Sequence, residues 1–134
     1  MYKKQMFCVP SSDGEHTLNG IVYLPEGEIR GFFHLVHGMT EYIGRYKGIM
    51  SAAAQNGYIC CGFDNLGHGN TAASDSELGF IAEKDGWRYM IKDVGLFLDE
   101  VKSRYPQLDC FLLGHSMGSF IARLFASLRG RLFL

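Results

Sequence analysis

The segment Gly114-His115-Ser116-Met117-Gly118 has the spacing G-x-S-x-G. The short apolar run Cys110 to Leu113 precedes it, and residues with helical periodicity follow it. This context predicts a tight turn from a strand into a helix, with glycines that let the two elements pack closely around an exposed serine hydroxyl. Ser116 is therefore a candidate nucleophile for acyl transfer. A serine cap in a Gly-rich turn is the structural alternative.

Two backbone amides are candidates for stabilising the oxyanion that such a reaction would form. The N–H of Met117 lies at the start of the predicted helix, where amides lack partners and the helix dipole is positive. The N–H of Met39 follows His37-Gly38, directly after the predicted strand Phe32 to Val36, and a second donor is expected at that position. The predicted catalytic set is thus Ser116 with the amides of Met39 and Met117. A plain glycine turn is the alternative for His37-Gly38.

A third motif, Asp64-Asn65-Leu66-Gly67-His68-Gly69, follows the predicted strand Tyr58 to Phe63. Its glycines indicate tight turns at the carboxyl edge of a sheet, where ligands bind in open α/β folds. For Asp64 and His68 we expect a structural role, in which they bond loop amides together. His16, beside an earlier turn, is expected to be solvent-exposed.

The elements that must position these motifs alternate between strand and helix. The segments Gln5 to Val9 and Leu18 to Leu24 flank a turn that contains Asp-Gly, which predicts an N-terminal antiparallel hairpin. Beyond it, short apolar runs typical of strands buried on both faces are separated by helical stripes. We therefore predict an α/β fold with parallel strands and helices on both sides of the sheet.

Composition excludes several classes of function. The chain has 134 residues, is 47% hydrophobic and 20% charged, and carries a formal net charge of -1, so neither disorder nor nucleic-acid binding is expected. No apolar segment reaches the roughly 18 residues of a transmembrane helix, which favours a cytoplasmic protein. The cysteines have no metal-ligand spacing. We expect no disulfide, no metal and no cofactor.

Together the motifs around His37, Asp64 and Ser116 resemble the α/β-hydrolase superfamily, specifically its monoacylglycerol lipase, lysophospholipase and serine aminopeptidase-like branch. The resemblance runs from about Met6 to about Leu128. It implies a serine esterase acting on monoacylglycerol or lysophospholipid-like acyl esters through an acyl-enzyme on Ser116, and no cofactor. An aminopeptidase or an acyltransferase on the same scaffold is an alternative.

In this superfamily the acid and the histidine of the triad follow the serine along the chain, and only residues 117–134 do so here. The resemblance therefore implies a single partial α/β-hydrolase domain over residues 1–134, the N-terminal part of the fold, lacking the cap and the C-terminal strands. We expect this chain alone to have negligible esterase activity, as a catalytically inactive fragment or a binding module. The strand Cys110 to Leu113 should be central in the fold and lack its next neighbour, which predicts self-association through an unpaired sheet edge.

Overall fold

The computed structural model describes residues 1–129. In this part of the chain the strands are β1 (Tyr2–Met6), β2 (Val9–Pro10), β3 (Thr17–Leu18), β4 (Gly20–Pro25), β5 (Gly31–Val36), β6 (Tyr58–Phe63) and β7 (Cys110–Gly114). The α-helices are α1 (Lys47–Gln55), α2 (Gly86–Arg104) and α3 (Met117–Arg129), and short 3-10 helices cover Ile43–Tyr46 and Asp75–Glu77.

Five of the strands form a mixed sheet in the order β1-β4-β6-β5-β7. The strands β5, β6 and β7 are parallel, whereas β4 is antiparallel to both β1 and β6. The small β2–β3 pair belongs to the connection from β1 to β4. The predicted N-terminal hairpin followed by parallel strands and helices is thus confirmed.

Side chains alternate across the sheet, so each face has its own core. Phe32 and Val36 of β5 pack with α2 and α3, whereas Leu35 of the same strand packs against α1. Helix α1 ends where the sequence predicted, since Asn56 is its C-cap and Gly57 follows with a φ of 87°. Within the described residues, no helix is both long and apolar enough to cross a membrane.

The strand β7 differs from its prediction as a strand buried on both faces. Its only neighbour within residues 1–129 is β5, so it is the edge of the sheet in the described structure. Phe111 and Leu113 are consequently exposed, while Leu112 on the opposite face is half-buried beneath α3. The strand β7 has the apolar sequence of a central strand, but within residues 1–129 only part of its surface is buried.

Candidate active site

Ser116 lies on the two-residue turn between β7 and α3, and its side chain is exposed. Its φ is 53°, a left-handed conformation that costs a residue with a β-carbon about 1–2 kcal/mol. Hydrogen bonds on either side fix the turn, from His115 N to the carbonyl of Val36 (3.1 Å) and from Gly118 N to the carbonyl of His115 (2.8 Å). The surrounding backbone therefore holds the serine in a strained position outside the packed interior.

The two glycines of the G-x-S-x-G pattern are needed for close backbone contact. A β-carbon on Gly118 would lie 2.0 Å from the carbonyl oxygen of Val36, and one on Gly114 would lie 2.3 Å from the carbonyl oxygen of Gly118. Both distances are far below van der Waals contact. Helix α3 can therefore approach the end of β5 only when these positions have no side chain.

The loop after β5 reaches the same place through a turn over residues 38–41. In this turn Glu41 N donates to the carbonyl of Gly38 (3.3 Å), and Thr40 has a φ of 60°. The φ of Met39 is not positive, whereas that of Thr40 is. The geometry is therefore that of a type II turn with Met39 at its second position. A β-carbon added to Gly38 would lie 3.1 Å from the Cβ of Ser116, so the turn lies against the serine.

Three of the four amides in this turn donate hydrogen bonds. Gly38 N donates to Glu41 Oε2 (2.7 Å), Thr40 N to His68 Nε2 (3.3 Å) and Glu41 N to the Gly38 carbonyl. The N–H of Met39 has no acceptor within the described residues. It is therefore the amide of this turn that is left to bind another group.

The amide of Met117, at the start of α3, also lacks a hydrogen-bond acceptor. First-turn amides of a helix have no intrahelical acceptor, and the N–H of Met117 has none elsewhere in the described residues. The positive end of the helix dipole adds to its attraction for an anion. The side chain of Met117 is half-buried and that of Met39 is exposed.

The carboxylate of Glu41 stabilises the turn over residues 38–41. Its Oε2 accepts hydrogen bonds from Tyr46 Oη (2.5 Å) and Gly38 N, and lies 3.2 Å from His115 Nδ1, while Arg45 is 3.4 Å from Oε1. The hydrogen bond from Tyr46 is the largest cause that lowers the pKa of Glu41 to about 2. The carboxylate is thus ionised and satisfied by several donors.

His37 and His68 connect this turn to the loop that follows β6. His37 Nε2 accepts from Asn65 N (2.9 Å), so its Nδ1 carries the proton and donates to the carbonyl of Gly38 (2.8 Å). His68 Nε2 accepts from Thr40 N, so its Nδ1 donates to the carbonyl of Leu66 (2.9 Å). Burial lowers the pKa of His37, which favours the neutral form that this arrangement requires.

Asp64 is likewise structural, as predicted. Its Oδ1 accepts from Ile43 N (2.7 Å), and its Oδ2 accepts from Asn19 Nδ2 (3.0 Å) and Asn70 N (2.9 Å). Both oxygens are therefore occupied in joining three other segments of the chain, through two backbone amides and one side-chain amide. The prediction that Asp64 and His68 bond loop amides together is confirmed.

No histidine of residues 1–129 is hydrogen-bonded to the hydroxyl of Ser116. His37 and His68 are engaged with backbone groups, and His115, next to the serine, is turned toward Glu41. A cavity of about 610 Å³ lies beside the turn, lined by Thr40, Glu41 and the loop after β6, but not by Ser116. Within the same residues no group of three His, Cys, Asp or Glu side chains is placed to hold a metal ion.

Comparison with known proteins identifies the family that shares this arrangement. The sequence profile of the family described as serine aminopeptidase, S33, matches residues 27–133. The chain belongs to this family. Its fold is that of the α/β hydrolases, since a thermostable carboxyl esterase from Bacillus coagulans superposes with a TM-score of 0.88 at 31% identity, covering 95% of this chain and 41% of the esterase.

Lipases are among the relatives of this S33 family member. Human monoglyceride lipase is 29% identical over 128 residues, which are 90% of this chain and 40% of the lipase. A monoglyceride lipase homolog from monkeypox virus is 36% identical over 90 residues, covering 67% of this chain and 30% of that protein. The chain thus spans about 40% of the length of the monoglyceride lipases it matches.

Sequence reasoning missed two features of the site in this S33 family member, namely the left-handed conformation of Thr40 and the role of Glu41. Threonine is not a residue that signals positive φ. The spacing of Glu41 from Arg45 was a usable signal, because a carboxylate and a cation four residues apart can meet across a helical turn. The contact of Glu41 with Tyr46, five residues further on, does not follow from helical spacing.

Proposed function

We propose that this chain supplies the nucleophile and the oxyanion-binding amides of a serine hydrolase that acts on carboxylic esters. The observation that carries the proposal is that two backbone amides near Ser116 have no acceptor within the described residues. Every other N–H in the turn over residues 38–41 is used, which leaves the N–H of Met39 in a turn that lies against the serine, and the N–H of Met117 directly follows the serine in the chain. Unpaired donors from two separate loops next to an exposed serine match the requirements of acyl transfer.

In the proposed reaction, Ser116 Oγ attacks the ester carbonyl carbon and the hydroxyl proton passes to a base outside the described residues. The carbonyl oxygen becomes an oxyanion, which accepts hydrogen bonds from the amides of Met39 and Met117. Collapse of this intermediate releases the alcohol, which takes up the proton, and leaves an acyl-enzyme on Ser116. Water then repeats the sequence and releases the acid and free Ser116.

The substrate class we propose is a monoacylglycerol or a lysophospholipid-like acyl ester. Several relatives support it, namely monoglyceride lipases and a probable lysophospholipase L2 of Haemophilus influenzae. We expect negligible turnover by the 134-residue chain alone, since removing the residues that activate the serine costs on the order of a millionfold in kcat. Residues 1–134 would then form the N-terminal part of a hydrolase domain.

The test is a fusion in which this chain replaces the matching 41% of the Bacillus coagulans esterase. The fusion should hydrolyse a short-chain nitrophenyl ester and be labelled by a fluorophosphonate, and Ser116→Ala should abolish both. The chain alone should show neither. Rapid turnover by the 134-residue chain, or activity of the Ser116→Ala fusion, would contradict the proposal.

The role of one amide can be tested separately. Met39→Pro removes the N–H while suiting the second position of a type II turn. We expect kcat of the fusion to fall by roughly 10²–10³-fold. Met39→Ala, which keeps the amide and removes the side chain, is the matched control and should have nearly normal kcat. Equal activity of the proline and alanine variants would exclude Met39 as an oxyanion donor.

A further inference from the structure

His16 lies directly before β3, and each nitrogen of its imidazole ring contacts a carboxylate. Nδ1 is 2.6 Å from Asp13 Oδ2 in the same turn, and Nε2 is 3.0 Å from Glu77 Oε2. Glu77 ends the 3-10 helix Asp75–Glu77 and is 61 residues away from His16 in the sequence. The ring therefore connects the turn before β3 to the long loop that follows β6. We call this pair of contacts the His16 bridge.

The two contacts fix the protonation state of the ring. An ionised carboxylate oxygen only accepts hydrogen bonds, so a ring nitrogen that faces one must carry a proton. A neutral imidazole has a single N–H and can satisfy one of the two carboxylates, whereas the imidazolium satisfies both. The His16 bridge is therefore complete only when His16 is positively charged.

The surroundings of the ring are acidic. A cavity of about 340 Å³ lies beside it, and no Lys or Arg of residues 1–129 is among the residues that line this cavity. Its titratable lining groups besides His16 come from the turn, the loop after β6 and α2, and they are Asp13, Glu15, Glu77, Glu83 and Tyr89. A further carboxylate of α2, Asp93, accepts from Ser12 N (2.7 Å) in the same turn. The imidazolium of His16 thus supplies the positive charge among these groups.

The titration of these groups sets the pH range of the His16 bridge. Hydrogen bonds with Asp13 and with Glu77 raise the pKa of His16 above 6.5. The hydrogen bond from Ala73 N, together with that from His16, lowers the pKa of Glu77. Burial opposes the ionisation of Asp13, but hydrogen bonds from the amides of His16 and Glu15 and from the ring lower its pKa overall. The bridge is consequently lost in acid, when the carboxylates take up protons, and lost again as the pH rises through the raised pKa of His16.

The segment around Glu77 is packed on the glycine motif of the loop that follows β6. Ala73 N donates to Glu77 Oε2 (2.8 Å), and Phe80 N donates to the carbonyl of Glu77 (2.9 Å). Gly79 N donates to the carbonyl of Gly67 (2.8 Å). A β-carbon on Gly67 would lie 2.2 Å from the carbonyl oxygen of Phe80, so the two stretches of backbone are in close contact.

This packing places the same segment beside the candidate active site. His68, the residue after Gly67, accepts from Thr40 N in the turn over residues 38–41. The cavity of about 610 Å³ beside that turn is lined by both elements, by Thr40 on the turn and by Asp75 and Leu78 on the loop. A displacement of residues 73–80 would therefore change the shape of this cavity.

We propose that the His16 bridge is a pH-sensitive contact, which holds residues 73–80 in place and releases them when His16 loses its proton. The neutral ring keeps one N–H, which stays with Asp13, since that contact is the shorter one and joins residues of a single turn. Glu77 then loses its partner on the ring, and the cavity wall formed by Asp75 and Leu78 becomes free to move. The bridge involves neither Ser116 nor a substrate, so it is independent of the proposed hydrolysis.

The first measurement is an NMR titration of the His16 ring in the 134-residue chain. We expect a pKa above 6.5, with both ring nitrogens protonated below it. Glu77→Gln removes one charge but keeps an oxygen that can accept from Ala73 N, and it should lower the pKa of His16. Glu15→Gln, which removes a charge from the lining of the same cavity without a hydrogen bond to His16, is the matched control and should lower it much less. Equal shifts in the two variants, or a wild-type pKa at or below 6.5, would overturn the proposal.

The second measurement is hydrogen exchange of residues 73–80, one pH unit below and one above the measured pKa of His16, corrected for the intrinsic rates. Protection should fall about 2–5-fold at the higher pH, the size expected for a partly exposed ion pair, while α1 should show no such step. His16→Gln, which is neutral at both pH values, should abolish the step. A step that persists in His16→Gln would assign it to another group, and unchanged protection in the wild type would show that the bridge does not hold the segment. Either result would overturn the proposal.

Discussion

His34 is an imidazole enclosed in the apolar core, and its protonation should control the response of the chain to acid. It lies on β5, and its ring contacts those of Phe63 and Phe97 at ring distances of 5.6 and 5.3 Å. Nδ1 is 3.7 Å from Cys61 Sγ, and Nε2 has no hydrogen-bond partner in the described structure. Burial lowers the pKa of His34 from 6.5 to about 3, because the charged ring would lose its hydration.

The sign and size of the effect follow from this pKa. In the unfolded chain His34 binds a proton as the pH falls below 6.5, whereas in the folded chain it stays neutral until about pH 3. The unfolded state binds more protons in this window, so the free energy of unfolding falls with falling pH. At about 1.4 kcal/mol per pH unit, the loss should be about 2 kcal/mol between pH 6.5 and 5. By pH 3 it should be on the order of 5 kcal/mol.

The assay is urea unfolding of the wild type and of His34→Leu at equal protein concentration, from pH 7 to pH 5. Leucine removes both the titration and the unpaired Nε2, whose burial costs about 1–3 kcal/mol. We therefore expect the variant to be at least as stable at pH 7 and to gain a further ~2 kcal/mol relative to wild type at pH 5. The contributions of other titrating groups cancel in the comparison. A stability difference that stays constant across this range would refute the reasoning.

Three further outcomes are expected from the contacts of the site. Gly118→Ala should destabilise the chain by more than about 3 kcal/mol, because helix α3 must move away from β5. At the control position Gly48 an added β-carbon meets nothing within 4 Å, so Gly48→Ala should stabilise the chain by about 0.5–1 kcal/mol. Urea unfolding measures both changes. Tyr46→Phe should raise the pKa of Glu41 from about 2 toward its ordinary value, so that stability is lost at a higher pH on acidification. A ¹³C NMR titration of the carboxylate measures this shift. An unchanged pKa would show that the hydrogen bond from Tyr46 is not its main cause. Thr40→Gly should raise the free energy of unfolding by roughly 0.5–1 kcal/mol by relieving its left-handed backbone, and an equal gain in Thr40→Ala would show that strain is not the reason.

The features that the sequence predicted are those set by nearby residues. The bend at Ser116 is encoded within about ten residues, by an apolar strand, two glycines and a helical stripe, and the structure has Ser116 on a turn between the predicted strand and helix. His16 was expected to be exposed but is half-buried, with Asp13 Oδ2 at 2.6 Å from Nδ1 and Glu77 Oε2 at 3.0 Å from Nε2. Its partner Glu77 is 61 residues away, so only the folded chain could identify it.

The proposed oxyanion donors have no signature in their own side chains, because neighbouring residues rather than the donors themselves place the amides. An oxyanion bound by main-chain N–H groups places no demand on the residue type at positions 39 and 117, apart from excluding proline. The demand falls on neighbouring positions: Gly118 must have no β-carbon, and His37 must hold the carbonyl of Gly38, which shares a planar peptide with the N–H of Met39. Because that peptide is planar, fixing the carbonyl also fixes the direction of the amide. The glycines and buried histidines around such a site are therefore better sequence markers of it than the residues whose amides bind.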